Sequence, residues 1–126
     1  MGVSYKGRTE IYHSINDNIP TLAANYPYHN GYFGDAGTST KVRIIYSDDP
    51  ATTGKDFYDK IAHGGIEEAL ENGKGFKTTM ADGTIITFRP STKSDDNPGV
   101  YINISESDSH GNLKQQKIHF EKGGDD

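Results

Sequence analysis

Arg89, Lys117 and His119 are the side-chain types from which a metal-independent cleavage of RNA can be assembled. In that reaction a general base removes the proton of a ribose 2′-hydroxyl, cations stabilise the charge growing on the phosphorane, and an acid protonates the leaving oxygen. His119 suits acid or base duty, since an unperturbed imidazole titrates at about 6.5. Arg89 can hold phosphate oxygens in bidentate fashion, Lys117 adds a point charge, and Ser91 adds a hydroxyl. Lys74 and Lys77 extend a track for the sugar–phosphate backbone, and Thr92, Tyr101, Asn103 and Gln115 complete the candidate substrate-binding set. No cofactor and no metal enter this scheme.

These residues share a surface only if the chain around them is extended. From Gly75 onward the apolar spacing changes from about 3.6 to 2, and four strands are expected, at 76–80, 84–90, 100–105 and 114–122. Successive strand side chains point to opposite faces. One face collects Phe76, Thr78, Met80, Ile86, Phe88, Val100, Ile102, Ile104, Ile118 and Phe120, and should pack on helices. The other collects Lys77, Thr79, Ile85, Thr87, Arg89, Ser91, Tyr101, Asn103, Ser105, Gln115, Lys117 and His119; apart from Ile85 it reads as polar, with charges that are all positive. Asp82-Gly83 joins the first two strands, and this pair favours a type I′ hairpin because both central residues tolerate positive φ. Longer polar loops join the rest, so an antiparallel meander is expected. Many small antiparallel domains show a solvated polar face with scattered cations, so the functional reading rests on the combination of residue types.

Helices should precede the sheet. Asp49 can cap free amides and Pro50 suits a first helical position. Phe57 with Ile61, and Tyr58 with Ala62, then stack four apart until His63-Gly64-Gly65 interrupts. A second short helix is expected at 66–71, ended by Asn72-Gly73. Residues 41–46 have the β-branched density of a short strand or a buried connector. Residues 1–40 hold five of the eight tyrosines and read as an irregular, aromatic-pinned extension packed on the domain, with single helical turns at most around Ile11 and Leu22; 123–126 read as a disordered tail. The expected class is α+β, with short N-terminal helices packed on a four-stranded antiparallel sheet.

Composition narrows the function classes. At 126 residues the chain has the length of one domain. With 32% hydrophobic residues, it contains no run near the 18 or so apolar residues a spanning helix needs. Thirteen Lys and Arg against eighteen Asp and Glu give a net charge of -5, so contact with nucleic acid has to use a local patch. The absence of cysteine excludes a disulfide scaffold, a thiol nucleophile and a thiolate zinc site. The first residues hold no apolar stretch of signal-peptide length. His13, His29 and His110 lack partners at metal-ligand spacing, and His63 reads as a helix C-terminal residue set against the dipole. Asp95-Asp96-Asn97 lacks the calcium-loop spacing. There is no P-loop, dinucleotide fingerprint, nucleophile elbow or zincin helix.

Several blocks resemble a known group. They are Ala81-Asp82-Gly83-Thr84-Ile85-Ile86-Thr87-Phe88-Arg89-Pro90-Ser91, Asn97-Pro98, Tyr101-Ile102-Asn103-Ile104 and Gln116-Lys117-Ile118-His119-Phe120. Upstream, Arg43-Ile44-Ile45-Tyr46-Ser47-Asp48-Asp49-Pro50 and Lys55-Asp56-Phe57-Tyr58-Asp59-Lys60-Ile61 look similar too. Together, over 41–122, these are similar to the C-terminal toxin domains of bacterial polymorphic toxins, carried by contact-dependent inhibition proteins and by LXG-type effectors of type VII secretion. The resemblance implies the fold grouping named for barnase, EndoU, colicin ribonucleases and RelE, with a metal-independent ribonuclease site. It implies secreted or surface delivery within a larger effector, cleavage of RNA, often tRNA, in the cytoplasm of a neighbouring bacterial cell, and a cognate immunity protein that binds the otherwise monomeric domain. The positions carried over are Arg89, Ser91, Lys117 and His119, with the catalytic hydroxyl left between Ser91, Thr92 and Ser94. Residues 1–40 lie outside the resemblance. A DNase is the alternative chemistry, weakened because DNA has no internal 2′-hydroxyl and its hydrolysis usually recruits a metal. From a different class, the chain reads as a noncatalytic binding module or as an immunity partner whose acidic surface grips a basic toxin.

Overall fold

The computed structural model describes residues 13–91, 97–104 and 112–123. A 3-10 turn, Ile15–Asn18, leads into α1 (Ile19–Asn25), followed by β1 (Tyr28–His29), β2 (Tyr32–Phe33), β3 (Asp35–Ala36), β4 (Val42–Ser47) and α2 (Pro50–Ile61). Then come β5 (Ile66–Ala69), β6 (Phe76–Thr79), β7 (Ile85–Arg89), β8 (Gly99–Asn103) and β9 (Gln116–Lys122). β1 and β2 pair with each other, and the remaining strands form one seven-stranded sheet in the order β3-β4-β9-β8-β7-β6-β5. The class is α+β. Among the described residues no helix is long and apolar enough to cross a membrane.

The sheet is not the four-stranded antiparallel meander that the period predicts. β6 to β9 do run antiparallel in chain order. β4, however, lies parallel to β9, from Val42 opposite Lys117 to Ser47 opposite Lys122, while β3 covers the far side of β4 and β5 covers the outer edge of β6. The β-branched run at 42–46 is thus a full strand. Its partner is remote in sequence, and no local spacing announces such a pairing.

Two local expectations are also corrected. Residues 66–71 are not helical but form β5 and a 3-10 turn, Glu71–Gly73. All four β5 residues are exposed, so no apolar face exists to hold a short helix against the core. As a strand the segment pairs with β6 and sets Glu68 directly opposite Lys77, a favourable cross-strand pair. At the β6–β7 corner only Gly83 has positive φ, at 90°, so the turn is not type I′. Gly83 N–H donates to the Met80 carbonyl at 2.9 Å, and Met80 N–H donates to the Thr84 carbonyl at 2.9 Å. This is the three-residue hairpin loop that ends in a left-handed glycine.

The alternation itself holds. Thr78, Met80, Ile86, Phe88, Val100, Ile102, Ile118 and Phe120 are all 5% exposed or less and face α2. α2 buries Phe57, Tyr58 and Ile61 on its facing side, and the Asp49 carboxylate caps its start by accepting from the Thr52 amide and hydroxyl. Those two bonds hold the Asp49 carboxyl below the usual carboxylate range. Residues 15–36 are more ordered than the irregular extension expected, and they put Ile15, Leu22 and Phe33 into the same core. Gln116, also buried, ties this segment to β9: its amide donates to the Gly31 carbonyl and its carbonyl accepts from the Phe33 amide. Such a buried amide is tolerated because its polar atoms are paired.

Tyr58 lies in the core with its hydroxyl bonded to that of Thr78. Burial pushes its pKa up to about 12. The unfolded phenol ionises near 10, so the folded state binds the proton more tightly and this contribution to stability is complete below about pH 10. It is lost as pH rises from about 10 towards 12. The expected result is a steep fall in urea midpoint over that window, flattened in Tyr58→Phe; an equally steep fall in the variant would assign the alkaline transition to other groups.

Candidate functional site

Strand pairing aligns the polar-face residues into rows. One row runs Lys117, Tyr101, Thr87, Lys77 and Glu68 across β9, β8, β7, β6 and β5. The next runs Ile44, His119, Gly99 and Arg89 across β4, β9, β8 and β7. Neighbouring strands stand about 4.8 Å apart, so the His119 and Arg89 backbones are separated by about 10 Å. The residue between them is glycine and raises no side chain into the gap.

A groove of about 770 Å³ opens on this face, lined by Lys74, Thr87, Arg89, Ser91, Tyr101 and Lys117, with Gly99 also contributing. Its described charges are all cationic, although the whole chain carries -5. The Lys117 ammonium lies 5.6 Å from the centre of the Tyr101 ring. His119 sits beside Gly99 just beyond the groove lining, and its buried Nδ1 has no hydrogen-bond partner among the described residues. Asp82 Oδ2 and Thr84 Oγ1, at the β6–β7 corner, are likewise buried without a partner among the described residues, so this feature does not single out His119. A second hollow of about 390 Å³, between Tyr26, Pro27, Asp35 and Tyr46, has no cation in its lining.

The structure therefore brings together Arg89, Ser91, Lys117, Lys74 and Tyr101 in the groove, with His119 at its margin. Lys77 lies on the same face one strand beyond Thr87, partly buried. Asn103 and Gln115 are exposed and do not line the groove. Thr92 and Ser94 lie outside the described residues, as does Ser105.

The face is not uniformly positive as the sequence suggested. β5 adds Glu68 opposite Lys77, and Glu121, half-buried, follows Lys117 and His119 at alternate positions of β9. Alternation carried two residues further along this strand identifies Glu121. Gly99 and Thr87 gain a role only through pairing, since the first matters for what it leaves open between two partners. Outside this face, the His13 and His63 rings meet edge to face at 5.1 Å, and the Asn18 amide donates to the carbonyls of Ile61 and His63. Among the described residues no three His, Asp or Glu side chains converge in a way that would hold a metal ion.

Comparison with protein-family models, with curated proteins and with solved structures finds no match for this chain.

Proposed function

We propose that this chain is the toxic domain of an antibacterial effector, an endoribonuclease that cleaves RNA by transesterification and is neutralised by a cognate immunity protein. The observation that carries the reading is one groove of Lys74, Arg89 and Lys117 in an acidic protein, with His119 in the same cross-strand row as Arg89 and Gly99 at its margin. In this reading a phosphodiester lies over Gly99. Arg89 holds its non-bridging oxygens from one side, Lys117 adds charge from the other, and Ser91 orients it. The 2′-oxygen attacks phosphorus as its proton passes to a base, the bond from phosphorus to the 5′-oxygen breaks, and an acid protonates that oxygen. His119 is one of these two groups. Glu121, which β9 sets at the adjacent position of the same face, about 6.7 Å along the strand, is the carboxylate placed to complement it.

The resemblance to polymorphic toxin tips supports the same reading and supplies its setting: delivery within a larger secreted or surface effector, action in the target-cell cytoplasm, and tRNA among the substrates. Purified protein incubated with total RNA in EDTA should give discrete fragments ending in 2′,3′-cyclic phosphate or 3′-phosphate, with 5′-hydroxyls on the other side of the cut. Fragments with 5′-phosphates would replace transesterification with hydrolysis. Intact RNA at micromolar protein would leave a noncatalytic binding module.

A further inference from the structure

We infer that Tyr101 is a nucleobase platform, and that the groove accepts RNA only where a base is unpaired; this rests on the ribonuclease reading and specifies its substrate. Strand alternation turns Tyr101 away from the core, and its side chain is 43% exposed in the middle of β8. Among the described residues two other large hydrophobic side chains are comparably exposed, Tyr46 at 53% and Ile66 at 59%. Their surroundings differ. Tyr46 lies opposite Glu121 and Ile66 adjoins Glu67, whereas Tyr101 stands in the cationic groove between Thr87 and Lys117.

The placement suits one nucleotide. Tyr101 and Gly99 are alternate residues of the same strand face, about 6.7 Å apart, a span that one nucleotide bridges from base to phosphate. A phosphate above Gly99 therefore leaves the adjoining base at the Tyr101 ring, over which the Lys117 ammonium stands 5.6 Å from the centre. An exposed aromatic next to a charged track is the arrangement by which single strands are held without sequence-specific hydrogen bonds. In an A-form duplex the faces of the bases are covered by their neighbours, so a ring on a sheet surface has nothing to stack on. The substrate region is then a loop, a bulge or a single-stranded end.

The test measures binding apart from cleavage. Short mixed-sequence 2′-O-methyl oligonucleotides lack the attacking hydroxyl and stay intact, and 2-aminopurine incorporated in them reports stacking by fluorescence quenching. The single strand should bind at least tenfold more tightly than its duplex. Tyr101→Ala should weaken single-strand binding about 5- to 150-fold, the range for loss of one base–aromatic stack, and abolish the quenching, while Tyr101→Phe retains both. Thermal melts of each variant should match the parent, because the ring is outside the core. Equal affinity for single strand and duplex, or parental binding by folded Tyr101→Ala, would overturn the inference. If the parent still cleaves RNA in that case, the ribonuclease reading stands without it. If the stacking signals appear but the parent cleaves nothing, the platform stands and catalysis is lost from the account.

Discussion

His119→Ala should leave the fold in place and lower RNA cleavage about 10²- to 10⁴-fold, the usual loss when a positioned acid or base is removed. His119 lies between Ile118 and Phe120, both fully buried on the opposite face of β9. Its own side chain is only partly covered, its Nδ1 bonds to nothing described, and one of its two strand neighbours is Gly99. Truncation thus orphans no polar partner and opens no core cavity, so the change in stability should stay within about 1 kcal/mol. Single-turnover cleavage and a urea melt on the same sample separate the two effects. A folded variant that cleaves like the parent would remove His119 from the reaction, and a variant that unfolds would show that the imidazole supports the sheet.

The face that His119 occupies was legible because it depends on a local period. Alternation from Phe76 to Phe120 put the core residues it named in β6 to β9 on the correct side, although it left Gln116 and Glu121 unassigned, and Asp49-Pro50 marked the start of α2, since these signals sit within a few residues of what they specify. Pairings were not legible. The parallel match of β4 with β9 joins Val42 to Lys117, and an apolar β-branched run is equally consistent with a connector or an edge strand until its neighbour is known. The same limit explains the groove. Arg89 and His119 could be placed on one face from their own strands, but the distance between them is set by β8, and only the register Arg89–Gly99–His119 leaves the space open. Residues 66–69 misled for a related reason, because a short stretch with little apolar character takes its conformation from the open edge of β6 rather than from its own propensity. In residues 15–36, aromatic and glycine-rich chain hid ordered structure whose stability comes from distant contacts such as those of Gln116.

Phe57→Ala should be the substitution that tests whether these distant segments share one core. The ring is fully buried on α2, and its centroid lies 5.1 Å from Tyr26, 5.0 Å from Phe33 and 5.5 Å from Phe120. It therefore joins the chain after α1, the β2 strand and the interior strand β9, three regions with no local reason to meet. Loss of a buried phenylalanine costs about 3 to 5 kcal/mol through lost transfer energy and the cavity left behind. Against a total stability of roughly 5 to 15 kcal/mol this is a large share, and the thermal midpoint should fall by roughly 10 to 20 °C. Phe57→Leu keeps most of the apolar volume and should lose much less. A double-mutant cycle with Phe120→Ala sharpens the result, since rings in direct contact should show a coupling of about 0.5 to 1.5 kcal/mol beyond additivity. A midpoint shift of only about 3 °C in Phe57→Ala, or strict additivity with Phe120→Ala, would mean that α2 does not pack on β9 through these rings, and the face opposite His119 would then lack the support that holds the groove in register.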